Sequence, residues 1–325
     1  MSSPFSVSNS IASVSGDLAP QDAAWFRKIM SDCILCPRAC HADRLDGGVG
    51  YCGQTADIMA ARASLHYWEE PCISGTSGSG TVFFSGCNLR CVFCQNHNIA
   101  LGKAGRVITP EHLVKIFLQL QEQGANNINL VTPTHFLPQI VIALEQAKQQ
   151  GLHLPIVYNT SSYESPEALH HLEGLVDIYL PDLKYFSPEL STAYSHAPDY
   201  FETACAAISE MYRQVGDSVI DEDTGLMQHG MIVRHLLLPG QTKDSKKILR
   251  YLHETYGDHI YISIMNQYTP LPQVADIEVL NRTVTPEEYD RVLRFAERIG
   301  IERGFRQEGT AASESFIPEF DERGL

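Results

Sequence analysis

The chain has 325 residues, of which 44% are hydrophobic and 19% are charged, and its formal net charge is −15. This composition is typical of a globular protein with one large α/β domain and a small appendage. Lysine and arginine do not cluster into a run, which argues against a nucleic-acid-binding protein. No apolar stretch approaches the ~20 residues of a membrane helix, so no membrane partner is expected.

Residues 1–19 contain seven serines and no basic residue. Secretory signals begin with basic residues and mitochondrial transit peptides are rich in arginine, so this segment is predicted to be a disordered tail. The chain also carries nine cysteines. Because disulfide frameworks belong to small secreted domains, these cysteines predict reduced thiols and a cytoplasmic protein.

A helix is predicted over residues 20–30, and four cysteines follow it. Cys33, Cys36, Cys40 and Cys52 have the spacing C-x2-C-x3-C-x11-C on a glycine-containing segment. Four thiolates at this spacing predict a metal site, for which zinc and an iron–sulfur cluster both fit; reduced buried thiols are the alternative. Four protein ligands would leave no open position, so the expected role is folding or electron transfer.

Six short apolar runs bounded by turn residues predict buried parallel strands. They lie at residues 81–85, 127–131, 155–158, 177–180, 231–236 and 261–264. Apolar residues at helical spacing lie between them, and four helix starts share a hydroxyl residue, proline and glutamate, beginning at Thr109, Ser165, Ser187 and Thr285. Six such β-α units form either a barrel-like sheet or an open doubly wound sheet. In a barrel, functional side chains gather at the C-terminal ends of the strands.

Three further cysteines follow the first predicted strand directly. Cys87, Cys91 and Cys94 lie in the string SGCNLRCVFCQN. Three thiolates within eight residues can share one metal centre. A zinc site completed by His97 and a 4Fe–4S cluster with one iron left open both fit this spacing.

The triplet, with the aromatic Phe93 before its last cysteine, resembles the radical S-adenosylmethionine (SAM) superfamily. The strings CILCPRAC, GSGTVFFSGCNLRCVFCQN, NINLVTPTHF, IVRHLLLPG and ISIMNQYTP are similar to proteins related to pyruvate formate-lyase activating enzyme. The resemblance implies a 4Fe–4S cluster on Cys87, Cys91 and Cys94 whose free iron chelates SAM. An electron from the cluster would cleave a carbon–sulfur bond, and the resulting 5′-deoxyadenosyl radical would abstract hydrogen.

The same resemblance implies the fold and the partners. It implies a partial (β/α)6-type barrel of parallel strands over residues 71–325, including a C-terminal extension, with a small cysteine-rich N-terminal module over residues 20–70. The implied substrate is a glycyl-radical enzyme, and the implied electron donor is a flavodoxin- or ferredoxin-like protein. Two other functions stay open: radical SAM modification of another peptide or a small molecule, and a non-catalytic zinc or iron–sulfur assembly protein.

The remaining candidate cofactor contacts follow from the resemblance and from the strand ends. Phe93 is expected to pack near the adenine. Many family members carry Gly-Gly-Glu-Pro at the end of the second strand, whereas this chain has Thr132-Pro133-Thr134-His135. Thr132 and Thr134 would offer hydroxyl and carbonyl acceptors in place of the carboxylate, unless this stretch is only a strand exit.

Polar residues also end the next three strands. Asn159 and Asp182 are placed to reach a ribose or the substrate, although either could cap a helix. Lys184 is expected to pair with Asp182 or with the cofactor carboxylate. Arg234 suits bidentate recognition of a carboxylate.

Two cysteines lie outside both groups. Cys72 and Cys205 are isolated in the sequence, and they are predicted to be small buried hydrophobic residues.

Overall fold

The computed structural model describes residues 20–307 and 318–325. The predicted tail over residues 1–19 lies outside them. The strands are β1 (Ile58–His66), β2 (Ser79–Phe84), β3 (Arg106–Ile108), β4 (Ile128–Val131), β5 (Ile156–Thr160), β6 (Ile178–Pro181), β7 (Val219–Ile220), β8 (Met227–Leu236), β9 (Tyr261–Met265) and β10 (Gly304–Arg306). The helices are α1 (Pro20–Ser31), α2 (Pro71–Ser74), α3 (His97–Ala100), α4 (Pro110–Glu122), α5 (Leu137–Gln149), α6 (Pro166–His170), α7 (Pro188–Ser195), α8 (Tyr200–Val215), α9 (Thr242–Tyr256) and α10 (Pro286–Ile299).

One mostly parallel sheet organises these elements. Its strand order is β10-β9-β8-β6-β5-β4-β2-β1-β3, with β7 paired to β8. Every neighbouring pair from β2 to β10 along this order is parallel, whereas β1 pairs antiparallel with β2 and β3. The two ends of the order are different strands, so the sheet is open. The predicted α/β fold, a partial barrel of parallel strands, is confirmed.

All six predicted strands occur, as β2, β4, β5, β6, β8 and β9. Their inner residues are almost fully buried, because helices cover the outside of a parallel sheet. Strand β1, from within the segment predicted as the N-terminal module, continues the sheet antiparallel beyond β2, and β3 forms the edge. Among the described residues, no helix is long and apolar enough to span a membrane.

The hydroxyl–proline–glutamate starts are confirmed as helix caps. The side chains of Thr109, Ser165, Ser187 and Thr285 each accept a hydrogen bond from the backbone N–H three residues later. Thr285 and Glu288 form a complete capping box. These caps satisfy N–H groups that the first turn of a helix leaves without partners. They fix where each helix begins, and thereby the length of the loop that leaves each strand.

Candidate active site

The three cysteines of the triplet lie on the loop that leaves the C-terminal end of β2. Gly86 begins this loop with φ +92°, a backbone conformation that favours glycine. A β-carbon at Gly86 would lie 2.8 Å from the carbonyl oxygen of Cys52, and the N–H of Cys87 donates to that same oxygen at 3.3 Å. The triplet loop is therefore packed directly against the segment that carries the first cysteine group.

Hydrogen bonds fix two thiols of the triplet and the backbone that leads to the third. The N–H of Leu89 donates to the Cys87 sulfur at 3.4 Å, and the hydroxyl of Ser195 donates to the Cys91 sulfur at 3.0 Å. The N–H of Cys94 donates to the carbonyl of Cys91 at 3.1 Å, which closes the last turn of the loop. The three cysteines line one space.

That space is a cavity of about 250 Å³ at the C-terminal ends of the parallel strands. All three cysteines line it, as do Phe93 and several residues that leave β4, β5, β6 and β8. The latter include Thr132, Asn159, Asp182, Lys184 and Arg234. Functional side chains gather at this end of a β/α barrel, so the cavity has the location of an active site.

The thiols of the triplet are buried, and burial is the largest influence on their pKa values. It raises the pKa of Cys87, of Cys91 and of Cys94, the last to about 12. The ammonium group of Lys184 opposes this increase at all three thiols. Since metals bind thiolates, metal binding here would release protons, and Lys184 would favour the charged form.

The lining of the cavity fits a 4Fe–4S cluster with one open iron. Cys87, Cys91 and Cys94 all line it, whereas His97, the predicted fourth zinc ligand, lines a different pocket together with Gln95 and Leu271. Three thiols at one cavity can hold three irons of such a cluster and leave the fourth open to the cavity.

Lys184 and Asp182 form a partly buried ion pair in the cavity wall. The Lys184 ammonium lies 2.5 Å from the Asp182 carboxylate, with 16% and 22% of their side chains exposed. The pKa of Lys184 is raised, because the favourable charges of Asp182 and the nearby Cys91 thiol outweigh the effect of burial, which lowers it. Lys184 is therefore a permanent cation between the thiols and the end of β6.

Arg234 is held by two carboxylates that the sequence did not point to. Its guanidinium lies 2.7 Å from Glu69 and 3.2 Å from Glu70, and all three side chains are nearly buried. Glu69 also accepts a hydrogen bond from Asn129 at 3.1 Å and lines the cavity. The carboxylates that Arg234 was predicted to bind are thus supplied by Glu69 and Glu70 of the same chain. Arg234 and the two glutamates together have a formal net charge of −1.

The two threonines that follow β4 have different surroundings. Thr132 lines the cavity with φ +56°, an unusual conformation for a residue other than glycine, and its N–H donates to the carbonyl of Asn159 at 2.9 Å. Thr134 is buried outside the cavity lining, and its hydroxyl donates to Glu164 at 2.6 Å. The side chain of Asn159 does not cap a helix, because Ser165 caps the helix that follows β5.

Glu164 is a fully buried carboxyl group behind the cavity wall. One of its oxygens accepts hydrogen bonds from Thr134, Thr160 and Tyr158, and the other oxygen has no partner. Burial raises its pKa to about 7, although the hydroxyl donors oppose this increase. Glu164 therefore changes charge in the neutral pH range.

Phe93 packs among aromatic rings at the cavity wall. Its ring centroid lies 6.3 Å from that of Tyr185, 6.5 Å from Tyr194 and 6.0 Å from Tyr268, all at steep interplanar angles. Edge-to-face packing of this kind fixes a ring firmly. The position agrees with a shielding role.

Arg38, within the first cysteine group, ties that group to the triplet loop. Its guanidinium donates to the carbonyl oxygens of Asn88, Ser195 and His196 at 2.8, 2.9 and 2.5 Å. It also lies 4.2 Å from the centre of the Tyr51 ring. One arginine therefore bridges the triplet loop and the C-terminal end of α7, where a positive charge is favourable.

The fold and the cavity together define an α/β partial barrel with a thiol-lined active site at the C-terminal ends of its strands. The profile of the Radical SAM superfamily matches residues 81–252, which is more than half of the chain. The chain therefore belongs to the radical SAM superfamily. Members of this superfamily are enzymes, and membership implies SAM and a 4Fe–4S cluster as cofactors.

The chain is also similar to individual proteins. An uncharacterized protein of Methanocaldococcus jannaschii is 27% identical over 286 residues, which cover 85% of this chain and 77% of that protein. A pyruvate formate-lyase-activating enzyme of Clostridium pasteurianum is 30% identical over 121 residues, covering 35% of this chain and 48% of the enzyme, about half of its length. The crystal structure of a radical SAM methyltransferase from Sphaerobacter thermophilus matches at 17% identity with a TM-score of 0.46, covering 70% of this chain and 66% of that one.

Proposed function

We propose that this chain is a radical SAM enzyme of the activating-enzyme type, which abstracts hydrogen from a polypeptide and generates a glycyl radical on a partner enzyme. The observation that carries the proposal is the set of three thiols from one loop that line a cavity at the C-terminal ends of six parallel strands. When bound, the 4Fe–4S cluster and SAM would supply reductive cleavage of a carbon–sulfur bond and hydrogen abstraction. The likeness to the Clostridium pasteurianum activating enzyme supports the choice of substrate.

The charges around the cavity suggest how the chain would orient SAM. Cys87, Cys91 and Cys94 would hold three irons and leave the fourth open to the cavity. Lys184, a cation beside these thiols, would face the carboxylate of SAM. Glu69 would face the amino group of SAM, because Glu69 and Glu70 together carry one more negative charge than Arg234 can neutralise.

In this proposal Arg234 is a positioning residue. Its guanidinium fixes the carboxylate of Glu69 at the cavity wall and does not bind the cofactor itself. Thr132 and Asn159 would contact the ribose or the substrate, and Asp182 would keep Lys184 aligned. Thr134 would act through Glu164, since its hydroxyl is directed there.

The barrel would also shield the reaction. Leu89 and Phe93 are buried at the cavity wall, and apolar walls exclude water that would quench a reactive species. A flavodoxin- or ferredoxin-like donor would supply the low-potential electron. The first cysteine group is proposed to bind a second metal centre.

Reductive cleavage of SAM tests the first part of the proposal. The chain is loaded with iron and sulfide without oxygen, dithionite and SAM are added, and 5′-deoxyadenosine is measured. The Cys87/Cys91/Cys94→Ala variant should give no product, whereas Cys205→Ser, an isolated thiol, should match the parent. A variant as active as the parent would refute the proposed cluster site.

Isotope transfer tests the substrate. A glycyl-radical enzyme deuterated at the α-carbons of its glycines is added to the loaded chain together with SAM. Deuterium in 5′-deoxyadenosine and a glycyl-radical electron paramagnetic resonance (EPR) signal are expected. Formation of unlabelled 5′-deoxyadenosine without that signal would point to another substrate.

A further inference from the structure

Cys33, Cys36, Cys40 and Cys52, here called the N-terminal cysteine group, lie on the chain segment between α1 and β1. The N–H of Cys33 donates to the carbonyl of Ala42 at 3.1 Å, and the N–H of His41 donates to the carbonyl of Cys33 at 3.0 Å. This pair of backbone bonds folds the first three cysteines back onto each other. The fourth, Cys52, approaches from the other end of the segment.

Gly50 keeps a space open between two of these thiols. A β-carbon at Gly50 would lie 3.3 Å from the sulfur of Cys40 and 3.3 Å from the sulfur of Cys52. Gly50 is buried, and its N–H donates to the carbonyl of Gln54 at 3.1 Å. Any larger residue would fill the space that both sulfurs face.

A buried cation lies beside the same thiols. Arg44 is fully buried, donates twice to the carbonyl of Thr55, at 2.6 and 3.2 Å, and lies 3.9 Å from the sulfur of Cys33. Among the described residues, no carboxylate forms an ion pair with it. A buried charge without a counter-charge is strongly unfavourable, so the site needs a source of negative charge next to Arg44.

We propose that the N-terminal cysteine group holds a second iron–sulfur cluster, with Arg44 as its charge partner. Four thiolates around a 4Fe–4S core carry a net negative charge that would compensate the guanidinium. The inference adds to the proposed function a second metal centre, whose presence does not depend on the reaction at the first.

The location of the group favours a cluster over zinc. Zinc has no redox chemistry and would serve a closed four-thiolate site only as a structural ion, whereas an iron–sulfur cluster on four thiolates can accept and pass on an electron. The carbonyl of Cys52 accepts a hydrogen bond from the N–H of Cys87 at 3.3 Å, so the group lies beside the triplet, where a redox-active centre could supply an electron.

The position of the group suits electron entry. Cys40 is exposed, and in the same chain segment the apolar side chains of Ile34 and Val49 are 42% and 61% exposed. At the other end, the carbonyl of Cys52 accepts a hydrogen bond from the N–H of Cys87, and the side chain of Asn88 in the triplet loop interacts with the Cys36 thiol. The group therefore connects the surface to the triplet.

The proposed transfer moves one electron and no atoms. A reduced flavodoxin- or ferredoxin-like donor loses one electron at the surface near Cys40, and the second cluster gains it. The same electron is then available to the site at Cys87, and the second cluster returns to its oxidised state. The donor is the only reductant that the step requires.

Metal content tests the second site independently of SAM cleavage. The full-length Cys87/Cys91/Cys94→Ala variant is reconstituted without oxygen in equal amounts of iron and zinc, with sulfide present. It should bind iron and acid-labile sulfide as one cluster and give the EPR signal of a reduced cluster. Adding Cys205→Ser should leave this unchanged, whereas adding Cys33, Cys36, Cys40 and Cys52→Ser should abolish it. Zinc without iron and sulfide, or neither metal, would overturn the proposal.

Arg44→Gln provides a variant that keeps all four ligands. In the background without the triplet, loss of the positive charge should lower the reduction potential of the second cluster, because the reduced cluster is the more negative state. An unchanged potential would overturn the role of Arg44. Circular dichroism of both proteins verifies that the comparison is between folded chains.

Reduction rates test electron entry. With all cysteines of the triplet present, substitution of the N-terminal cysteine group by serine should slow cluster reduction by reduced flavodoxin several-fold. Reduction by dithionite, a small reagent that needs no docking surface, should stay unchanged and serves as the control. Equal flavodoxin rates in both proteins would overturn the electron-entry role.

Discussion

Replacement of Glu164 by glutamine should remove a pH-dependent loss of stability. The pKa of this buried carboxyl is raised from its ordinary value of 4.5 to about 7, chiefly by burial. In the unfolded chain the group ionises near pH 4.5. The folded chain keeps its proton until about pH 7. The stability that the protonated Glu164 contributes is therefore fully present below the unfolded pKa of 4.5, and it is lost as the pH rises through the folded pKa of about 7.

The size of the effect follows from the two pKa values. At 1.36 kcal/mol for each pH unit between 4.5 and about 7, ionisation costs the folded chain about 3 kcal/mol. Glutamine keeps an oxygen that can accept from Thr134, Thr160 and Tyr158, but it cannot ionise. The stability advantage of Glu164→Gln over the parent should therefore grow by about 2.5 kcal/mol between pH 5 and pH 8.

Unfolding of the metal-free, reduced chain by urea and by heat at several pH values measures this difference. Comparison of two proteins that differ at one position cancels the titration of all other groups. Glu254→Gln, on the exposed side of α9, serves as the matched control and should run parallel to the parent. A difference between Glu164→Gln and the parent that is the same at pH 5 and pH 8 would refute the assignment of a raised pKa.

Three further substitutions probe the site. Gly86→Ala should reduce the iron bound per chain several-fold, because the new methyl group approaches Cys52 closely and also strains a backbone with positive φ. The control Gly124→Ala, at φ +83° with no atom within 4 Å, has the backbone strain alone. Equal iron contents in the two variants would contradict this prediction. Arg234→Met should lower the free energy of unfolding, measured by urea titration, by ~3–5 kcal/mol, because it leaves two buried carboxylates without their cation. A decrease below ~1 kcal/mol would show that the ion pairs are not buried. In the metal-free chain, Lys184→Met should shift alkylation of the triplet thiols to higher pH, because the ammonium group lowers the pKa of all three thiols. Mass spectrometry of the peptide that contains the triplet measures alkylation at each pH. An unchanged dependence of alkylation on pH would contradict this prediction.

The parallel strands could be predicted because their signal is local. A strand covered on both faces is a continuous apolar run, and all six runs became strands of the sheet. Strand β1 escaped prediction since its sequence, IMAARASLH, is rich in alanine, which has a low preference for strands. Strands β3 and β10 have only three residues each, too few to show a period.

The meeting of the triplet cysteines at one cavity was predictable for the same reason. Cys87, Cys91 and Cys94 lie within eight residues, so their spacing alone limits how far apart they can be. The partners of Arg234 are different, because Glu69 is 165 positions away along the chain. Only the folded barrel shows that a strand-end arginine meets carboxylates of its own chain.

The direction in which side chains point after the end of a strand could not be predicted from the sequence. Thr132 and Thr134 occupy neighbouring places after β4, and both were predicted to contact the cofactor. The positive φ of Thr132 turns the backbone so that this residue lines the cavity while Thr134 faces Glu164. A position at the barrel mouth thus predicts the location of a residue but not the direction of its side chain.

The two cysteine groups form one structural unit, and this affects how their roles can be separated. Arg38 and the carbonyl of Cys52 both hold the triplet loop, so unfolding of the N-terminal cysteine group would disturb the proposed cluster site at the triplet as well. Loss of iron from the triplet in a mutated N-terminal group would therefore not show that electrons pass between the sites. A change in the rate with a protein donor, at an unchanged rate with dithionite, separates the two effects, because only the protein donor depends on the surface around Cys40.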